Sequence, residues 1–488
     1  MVSTTAIQFF RADDLSQNGY NTRAIYQEFG KNRGSIFVHQ NASGAEKIIA
    51  SSMPADDSFR YQRVYEDALA YSGITGFYSI ANKADRGIEA ALNAELNGDI
   101  PELAISNVTD FIMQKEPRGA DVHLSINDSL QQAAYQALAS SGYRGAIVAI
   151  EPQTGRILAL ASFPSLDYNT FAVHDTQVAS QNYSAAATQE DDPMMNRATD
   201  ELYPPGSTFK VITAASALTS GRYQPSSIIP APLRYQLPGT ATDLPNYADG
   251  NCHATSGQET MLRALEQSCN TAFAMLGVDV GQSIMRNVSS DFGYGESFTI
   301  ATSPFGYNSD YAFKTQTPIF PTNLTDDRLA LASIGQGDVK TTPFQDCLIS
   351  AIVANDGYLA NPHLIDSITD SSGKVLFESE KVLVKNDDNL RINPTFADQI
   401  KDMMFSDVAN GIASYAGVKG VKVAGKTGTA ENATDKNPHG WFTGFAPVDD
   451  PKIALAVFLE NGVIGTNAAK IASNIFKHYL LEDLGGSK

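Results

Sequence analysis

Cysteine is scarce: there are three in 488 residues, none in a Cys-x-x-Cys pair and none at zinc-ligand spacing with histidine. This excludes a disulfide-stapled scaffold and a zinc module, so no metal is expected. No run of about 18 apolar residues is present, so no membrane-spanning helix is encoded. The opening MVSTTAIQFFRADD lacks the basic-then-apolar order of a secretion signal. The expectation is therefore a cytosolic protein or an ectodomain cut free of its anchor. Positive charge is also in deficit, with 35 Lys and Arg against 54 Asp and Glu and a net charge of −19. A polyanion such as nucleic acid would be repelled and is excluded as a partner. No internal repeat or low-complexity run occurs.

What is there is a globular composition, 43% apolar and 18% charged. The length exceeds one ordinary core and implies two or more domains. Cys252 and Cys269 lie 17 residues apart around an expected helix. In an oxidising compartment they could pair and leave Cys347 free; the alternative is three buried thiols acting as small hydrophobes.

Residues 1–118 read as a mixed, non-catalytic pedestal or dimerisation-type domain. NTRAIYQEFGKNRGSIF suggests a short helix and then a strand near Ile36. YQRVYEDALAYSG and ADRGIEAALNAEL read as short helices. Residues 119–488 read as the catalytic domain. A helix is expected at DSLQQAAYQALAS, with Asp128 as its N-cap. GAIVAIEPQTGRILALAS then forms a hairpin around the turn at Pro152-Gln153-Thr154-Gly155. The middle, 163–260, is rich in proline and reads as loops. Helices follow at ETMLRALEQ, TAFAMLGVDVG and PFQDCLISAIVAND. Three strands, GVKVAGKTGTA, GWFTGFAP and KIALAVFLE, precede an amphipathic helix at AAKIASNIFKHYLLEDL. The economical fold is α+β: one antiparallel sheet of about five strands built from both ends of the domain, with helices on both faces.

Three short motifs fall inside that frame. The first is Ser207-x-x-Lys210 in YPPGSTFK, followed by the apolar VITAASAL. A spacing of three puts both side chains on one helix face, and Pro205-Gly206 suits a chain entering a helix. A serine hydroxyl needs a base to be a nucleophile at neutral pH, and a lysine serves only if burial or nearby positive charge lowers its pKa. A second Ser-x-x-Lys, Ser371 to Lys374, sits in the polar turn TDSSGKVLF with no helix behind it and reads as an exposed turn.

The second motif is Ser268-Cys269-Asn270. In an extended link it would deliver a hydroxyl and an amide together, although either residue could instead cap the next helix. The third is Lys426-Thr427-Gly428-Thr429. Gly428 would let another backbone, such as a substrate peptide, approach the strand. Lys426 would hold a carboxylate and bias Lys210 toward neutrality, the plain alternative being an edge-strand lysine. Ser268 and Lys426 follow Ser207 by 61 and 219 residues.

In this order the motifs resemble those of the penicillin-reactive serine acyl-transferases, and in detail the class B type of penicillin-binding protein, with D,D-transpeptidase activity and a β-lactamase-like fold. RGSIF at 33–37, NRATDELYPPGSTFKVITAASAL, QSCNTAF, IGQGDV, AGKTGTAE and WFTGFAP carry the resemblance. YSGITGFYS, EAALNAELNG and SCNTAF are most similar to the actinobacterial penicillin-binding protein A group. NGIASYAGV at 410–418 departs from the family, which often carries Gly-Thr there.

The resemblance implies that Ser207 is acylated, Lys210 takes its proton, Ser268 relays that proton to the leaving amine and Asn270 binds the substrate amide. It implies that Lys426 holds charge and carboxylate, and that Thr427 and Thr429 contact substrate. The N–H groups of Ser207 and Thr429 would form the oxyanion hole, one such donor being worth about 2.7–4 kcal/mol. It further implies no cofactor, peptidoglycan stem peptides as substrates, β-lactam antibiotics as inhibitors and a separate glycosyltransferase as partner. The expected place is the outer face of the cytoplasmic membrane, on an N-terminal anchor.

Four other activities use or mimic parts of this site. A D,D-carboxypeptidase would use the same residues with water as acceptor. A β-lactamase would need a further base. Glu89-Ala-Ala-Leu-Asn93 mimics one such lactamase motif but precedes the nucleophile and reads as a coincidental helix. A β-lactam sensor would need a signalling domain, and an inactive scaffold would be expected to have lost motif residues.

Overall fold

The computed structural model describes residues 28–485, apart from 43, 105–111, 114–115, 248–249, 251, 253, 255, 308–310, 381–384 and 433–435. The helix expected from residue 21 lies outside the described residues except for its end. Two sheets organise the rest. In chain order the elements used below are β1 (Ile36–His39), β2 (Glu46–Pro54), β3 (Tyr61–Tyr65), β4 (Asp121–Asn127), α1 (Asp128–Ser141), β5 (Gly145–Ile150) and β6 (Ile157–Phe163). Then come α2 (Lys210–Thr219), α3 (Met261–Glu266), α4 (Asn270–Val280), α5 (Pro343–Ala354), β7 (Ile365–Thr369), β8 (Val375–Glu378) and α6 (Pro394–Asn410). The chain closes with β9 (Ala424–Ala430), β10 (His439–Ala446), β11 (Ile453–Leu459) and α7 (Gly465–Lys477).

The five-stranded sheet has the order β9-β10-β11-β5-β6, antiparallel throughout. Five strands from the two ends of the region are thus joined as expected. Every residue of β5, β10 and β11 is buried, because helices cover both faces; such strands read as continuous apolar runs rather than alternating ones. α5 packs on one face, and α1 and α7 on the other.

The second sheet has the order β8-β7-β4-β1-β2-β3, with β1 and β4 parallel. It takes strands from both sides of residue 118, since β4, β7 and β8 come from the later part of the chain. β7 and β8 are joined by the turn holding Ser371 to Lys374, where the Asp370 carboxylate accepts the N–H groups of Ser372 at 2.9 Å and Lys374 at 3.0 Å. The second Ser-x-x-Lys is therefore a hairpin turn.

Three local expectations are corrected. YQRVYEDALAYSG is not one helix: Tyr61–Tyr65 is a strand paired with β2, and the helix runs Ala68–Thr75. Tyr61, Val64 and Tyr65 are residue types that favour a strand. Asn127, not Asp128, caps α1, accepting the Leu130 N–H at 2.9 Å. Asp128 is the first helical residue and binds Lys47 at 2.9 Å and Tyr71 at 2.6 Å. The loop-rich middle also holds a helix, Thr176–Ala187, capped by Asp175. Only Ala179 and Ala186 are buried on it, so it has no apolar stripe to read.

Glu89 and Asn93, the lactamase look-alike, both bind Arg33 of RGSIF. The Arg33 guanidinium reaches Glu89 Oε2 at 2.5 Å and Asn93 Oδ1 at 2.7 Å, and Arg63 donates to Glu89 Oε1 at 2.6 Å. Burial would raise the Glu89 carboxyl, but Arg63 and Arg33 hold it below its usual range. The motif is a buried ion network of the N-terminal sheet. Among the described residues no helix is long and apolar enough to cross a membrane.

Candidate active site

The turn that carries Ser207 comes first. Residues Gly206–Phe209 form a 3-10 turn that runs into α2. Gly206 has φ +58°, and a Cβ there would meet the Thr429 carbonyl oxygen at 2.6 Å. Only glycine tolerates both the backbone conformation and the contact. The Gly206 N–H donates to Gly335 O at 2.9 Å, so IGQGDV holds the turn from the other side. Ser207 is half-buried at the mouth of this turn.

Lys210 begins α2 and has no exposed surface. Its ammonium nitrogen donates to Ser268 O at 2.6 Å, Asn270 Oδ1 at 2.7 Å and Ser268 Oγ at 3.3 Å. Burial, reinforced by the charge of Lys426 and opposed by Asp407, pulls its pKa well below the ordinary lysine value. Two of the three motifs thus meet at one nitrogen.

Ser268 reaches it by a route the extended-link expectation did not foresee. Its φ is +51°, left-handed backbone that a serine rarely adopts. Neither Ser268 nor Asn270 caps α4; Cys269 occupies the N-cap position without a side-chain capping hydrogen bond. The capping acceptor is Asn246 Oδ1, which takes the Thr271 N–H at 3.0 Å. Asn270 Nδ2 in turn donates to Pro245 O at 3.3 Å. Asn246 had no signal in the sequence.

Cys252 and Cys269 form a disulfide, and Cys347 is free and buried. The bond ties the middle residue of Ser-x-Asn to the segment after Asn246. Closing a 17-residue separation is worth about 3 kcal/mol by chain entropy. Replacing both cysteines by serine is expected to lower the denaturant-unfolding free energy by about that amount; an unchanged midpoint would contradict it.

The third motif lies on β9, an edge strand. Lys426 is fully buried, which excludes the solvated edge-lysine reading. Gly428 does leave room for a close approach, but the space belongs to the chain itself: a Cβ there would meet Pro205 O at 2.9 Å and Thr208 Cγ2 at 3.0 Å. The turn around Ser207, not open solvent, fills it. Thr427 Oγ1 is buried and has no hydrogen-bond partner among the described residues. Thr429 Oγ1 accepts the Gly465 N–H at 3.1 Å.

Two buried acids beside the site were not singled out from the sequence. Asp407 Oδ2 lies 3.1 Å from the Lys426 ammonium. Asp346, on α5, is fully buried, and burial pushes its carboxyl up to about 7. Both carried a signal. Asp407 continues the apolar stripe Ile400, Met403, Met404 of α6, and Asp346 interrupts an all-buried helix. An acid at a core position is the flag.

Residues 145–480 match the penicillin binding protein transpeptidase domain, and residues 33–122 match the penicillin binding protein A dimerisation domain. The chain belongs to the penicillin-binding protein transpeptidase family. Among its relatives, the peptidoglycan D,D-transpeptidase PbpA of Mycolicibacterium smegmatis is 35% identical over 95% of this chain and 90% of its own length. The crystal structure of PBPA from Mycobacterium tuberculosis superposes with a TM-score of 0.84 at 32% identity, covering 93% of this chain and all of that one. The same mycobacterial protein has been crystallised as a ceftriaxone acyl-enzyme complex, likewise with a TM-score of 0.84. The penicillin-binding protein A likeness read from YSGITGFYS and SCNTAF is thereby borne out.

Proposed function

We propose that this penicillin-binding protein is a peptidoglycan D,D-transpeptidase that cross-links stem peptides through an acyl-enzyme and is inhibited by β-lactams. The carrying observation is the fully buried Lys210 side chain one turn from Ser207, its nitrogen within hydrogen-bond distance of Ser268 and Asn270.

In this reading Ser207 Oγ attacks the carbonyl of the penultimate D-alanine while neutral Lys210 takes its proton. The terminal D-alanine leaves with a proton relayed by Ser268. An amine of a neighbouring stem peptide then attacks the ester, and its proton returns through the same pair to Ser207. Asn270 orients the substrate amide. Lys426 faces the substrate carboxylate, and the Thr427 hydroxyl, buried without a hydrogen-bond partner among the described residues, suits the same carboxylate. Thr429 and Ser207 supply the backbone N–H groups for the oxyanion. No cofactor is required. The disulfide fits an oxidising compartment and so supports work at the outer face of the cytoplasmic membrane. A separate glycosyltransferase would supply the glycan strands.

The deciding experiment offers a stem peptide ending in D-alanyl-D-alanine together with an amine acceptor. A cross-linked product that grows with acceptor concentration is expected. Release of the terminal D-alanine with only hydrolysed peptide would make the enzyme a carboxypeptidase instead.

A further inference from the structure

The segment that departs from the family text, 410–418, carries none of the three motifs, yet it closes around one of them. At the end of α6 the Asp407 carboxylate meets the Lys426 ammonium at 3.1 Å, and neither side chain has any exposed surface. Asp407 Oδ1 accepts the Ala413 N–H at 3.0 Å. Gly411 packs so closely that a Cβ there would meet Asp407 Oδ1 at 2.5 Å and Glu266 O at 2.5 Å. The carboxylate is therefore held by backbone on one side and by Lys426 on the other. Among the described residues, the Lys426 nitrogen bonds besides Asp407 only weakly within its own strand, to Thr427 O at 3.3 Å. Glu266, the nearby acid on α3, is engaged elsewhere, by Arg263 at 2.7 Å and by the Ser406 hydroxyl.

An ammonium removed from water is stable only with a counter-ion, and breaking a buried pair leaves an uncompensated charge. Asp407 is the carboxylate that meets this need for Lys426. We infer that Asp407 is a positioning residue of acyl transfer: it anchors the Lys426 ammonium in β9, so that a fixed positive charge faces the carboxylate of the donor peptide or β-lactam. Asp407 itself touches no substrate; it acts through Lys426. The inference rests on the role given to Lys426 in the transpeptidase reading.

The test compares acylation of the wild type and Asp407→Asn by penicillin and by its neutral methyl ester, followed by intact-protein mass. Asparagine keeps the shape and the acceptor for Ala413 but removes the charge. Loss of one partner of a buried charge pair predicts that acylation by penicillin slows by about tenfold or more. The ester, which has no carboxylate to recognise, should slow much less. In a Lys426→Ala background, Asp407→Asn should have no further effect on acylation. Equal slowing with both reagents, or no slowing, would overturn the positioning role and leave Asp407 structural. If Asp407→Asn does not fold, Gly411→Ala is read in the same way, because its Cβ displaces the same carboxylate. Failure of the parent reading is separately visible as a wild type that penicillin does not acylate at all.

Discussion

Ser207→Ala will gain no mass on incubation with penicillin, whereas the wild type will gain one acyl group per chain. The expectation follows from what else in the site could react. The Lys210 nitrogen has no exposed surface and is enclosed by Ser268 and Asn270, so it is not presented to a reagent from solvent. Ser268 is 8% exposed and held in left-handed backbone, with its hydroxyl turned to Lys210. Only Ser207 stands half-buried at the mouth, on a turn clamped by Gly335 and packed against Thr429. Removing one oxygen from this half-buried position should change stability by no more than about 0.5 kcal/mol. The variant should therefore melt like the wild type, and loss of the adduct would report chemistry rather than unfolding. An adduct that persists on Ser268 or Lys210 in this variant would sink the assignment.

The second large effect is at Lys210. Lys210→Met should slow acylation by about 10²- to 10⁴-fold, the usual contribution of a positioned general base. Lys210→Arg should be impaired comparably, because a guanidinium keeps the charge but cannot be deprotonated in a protein. That pair separates a base from a mere positive charge: an arginine variant within tenfold of wild type would exclude the base role. The pH dependence has a definite sign. Lys210 accepts a proton only when neutral, so acylation should rise with pH through its pKa and then level off. Burial and the Lys426 charge pull that pKa well below the ordinary value, with Asp407 acting against them. The rising limb should therefore lie below the normal lysine range in a profile from about pH 5 to about pH 10. A limb at the ordinary lysine value would show that the amine is solvated in the working enzyme.

Particular residues show where reading a sequence succeeds. Ser207-x-x-Lys210 was legible because both members lie on one stretch of chain and the apolar VITAASAL behind them announces burial. The strands around Lys426 and the hairpin at 145–163 were legible because runs such as GAIVAI and IALAVFL are continuously apolar. The misreadings share a cause too. Thr176–Ala187 is solvent-facing and bears no periodic stripe. Tyr61–Tyr65 became a strand because β2 was there to pair with it. Ser268 reached Lys210 through a left-handed turn whose strain is held by contacts far away in sequence, among them Asn246 and the Cys252–Cys269 bond.

The sequence alone determined the family, the order of the motifs, the antiparallel sheet joined from both ends, and the contrast between the pair at 207–210 and its counterpart at 371–374. These are matters of local pattern, burial period and spacing. The tertiary structure alone decided that Gly428 makes room for the turn around Ser207, that Asn246 caps α4, that Cys252 and Cys269 join, and that Asp407 meets Lys426. Each of these depends on groups between 17 and 223 residues apart being brought within bonding distance. A sequence records that an acid sits on the buried stripe of α6; only the packing of α6 against β9 says which charge it meets.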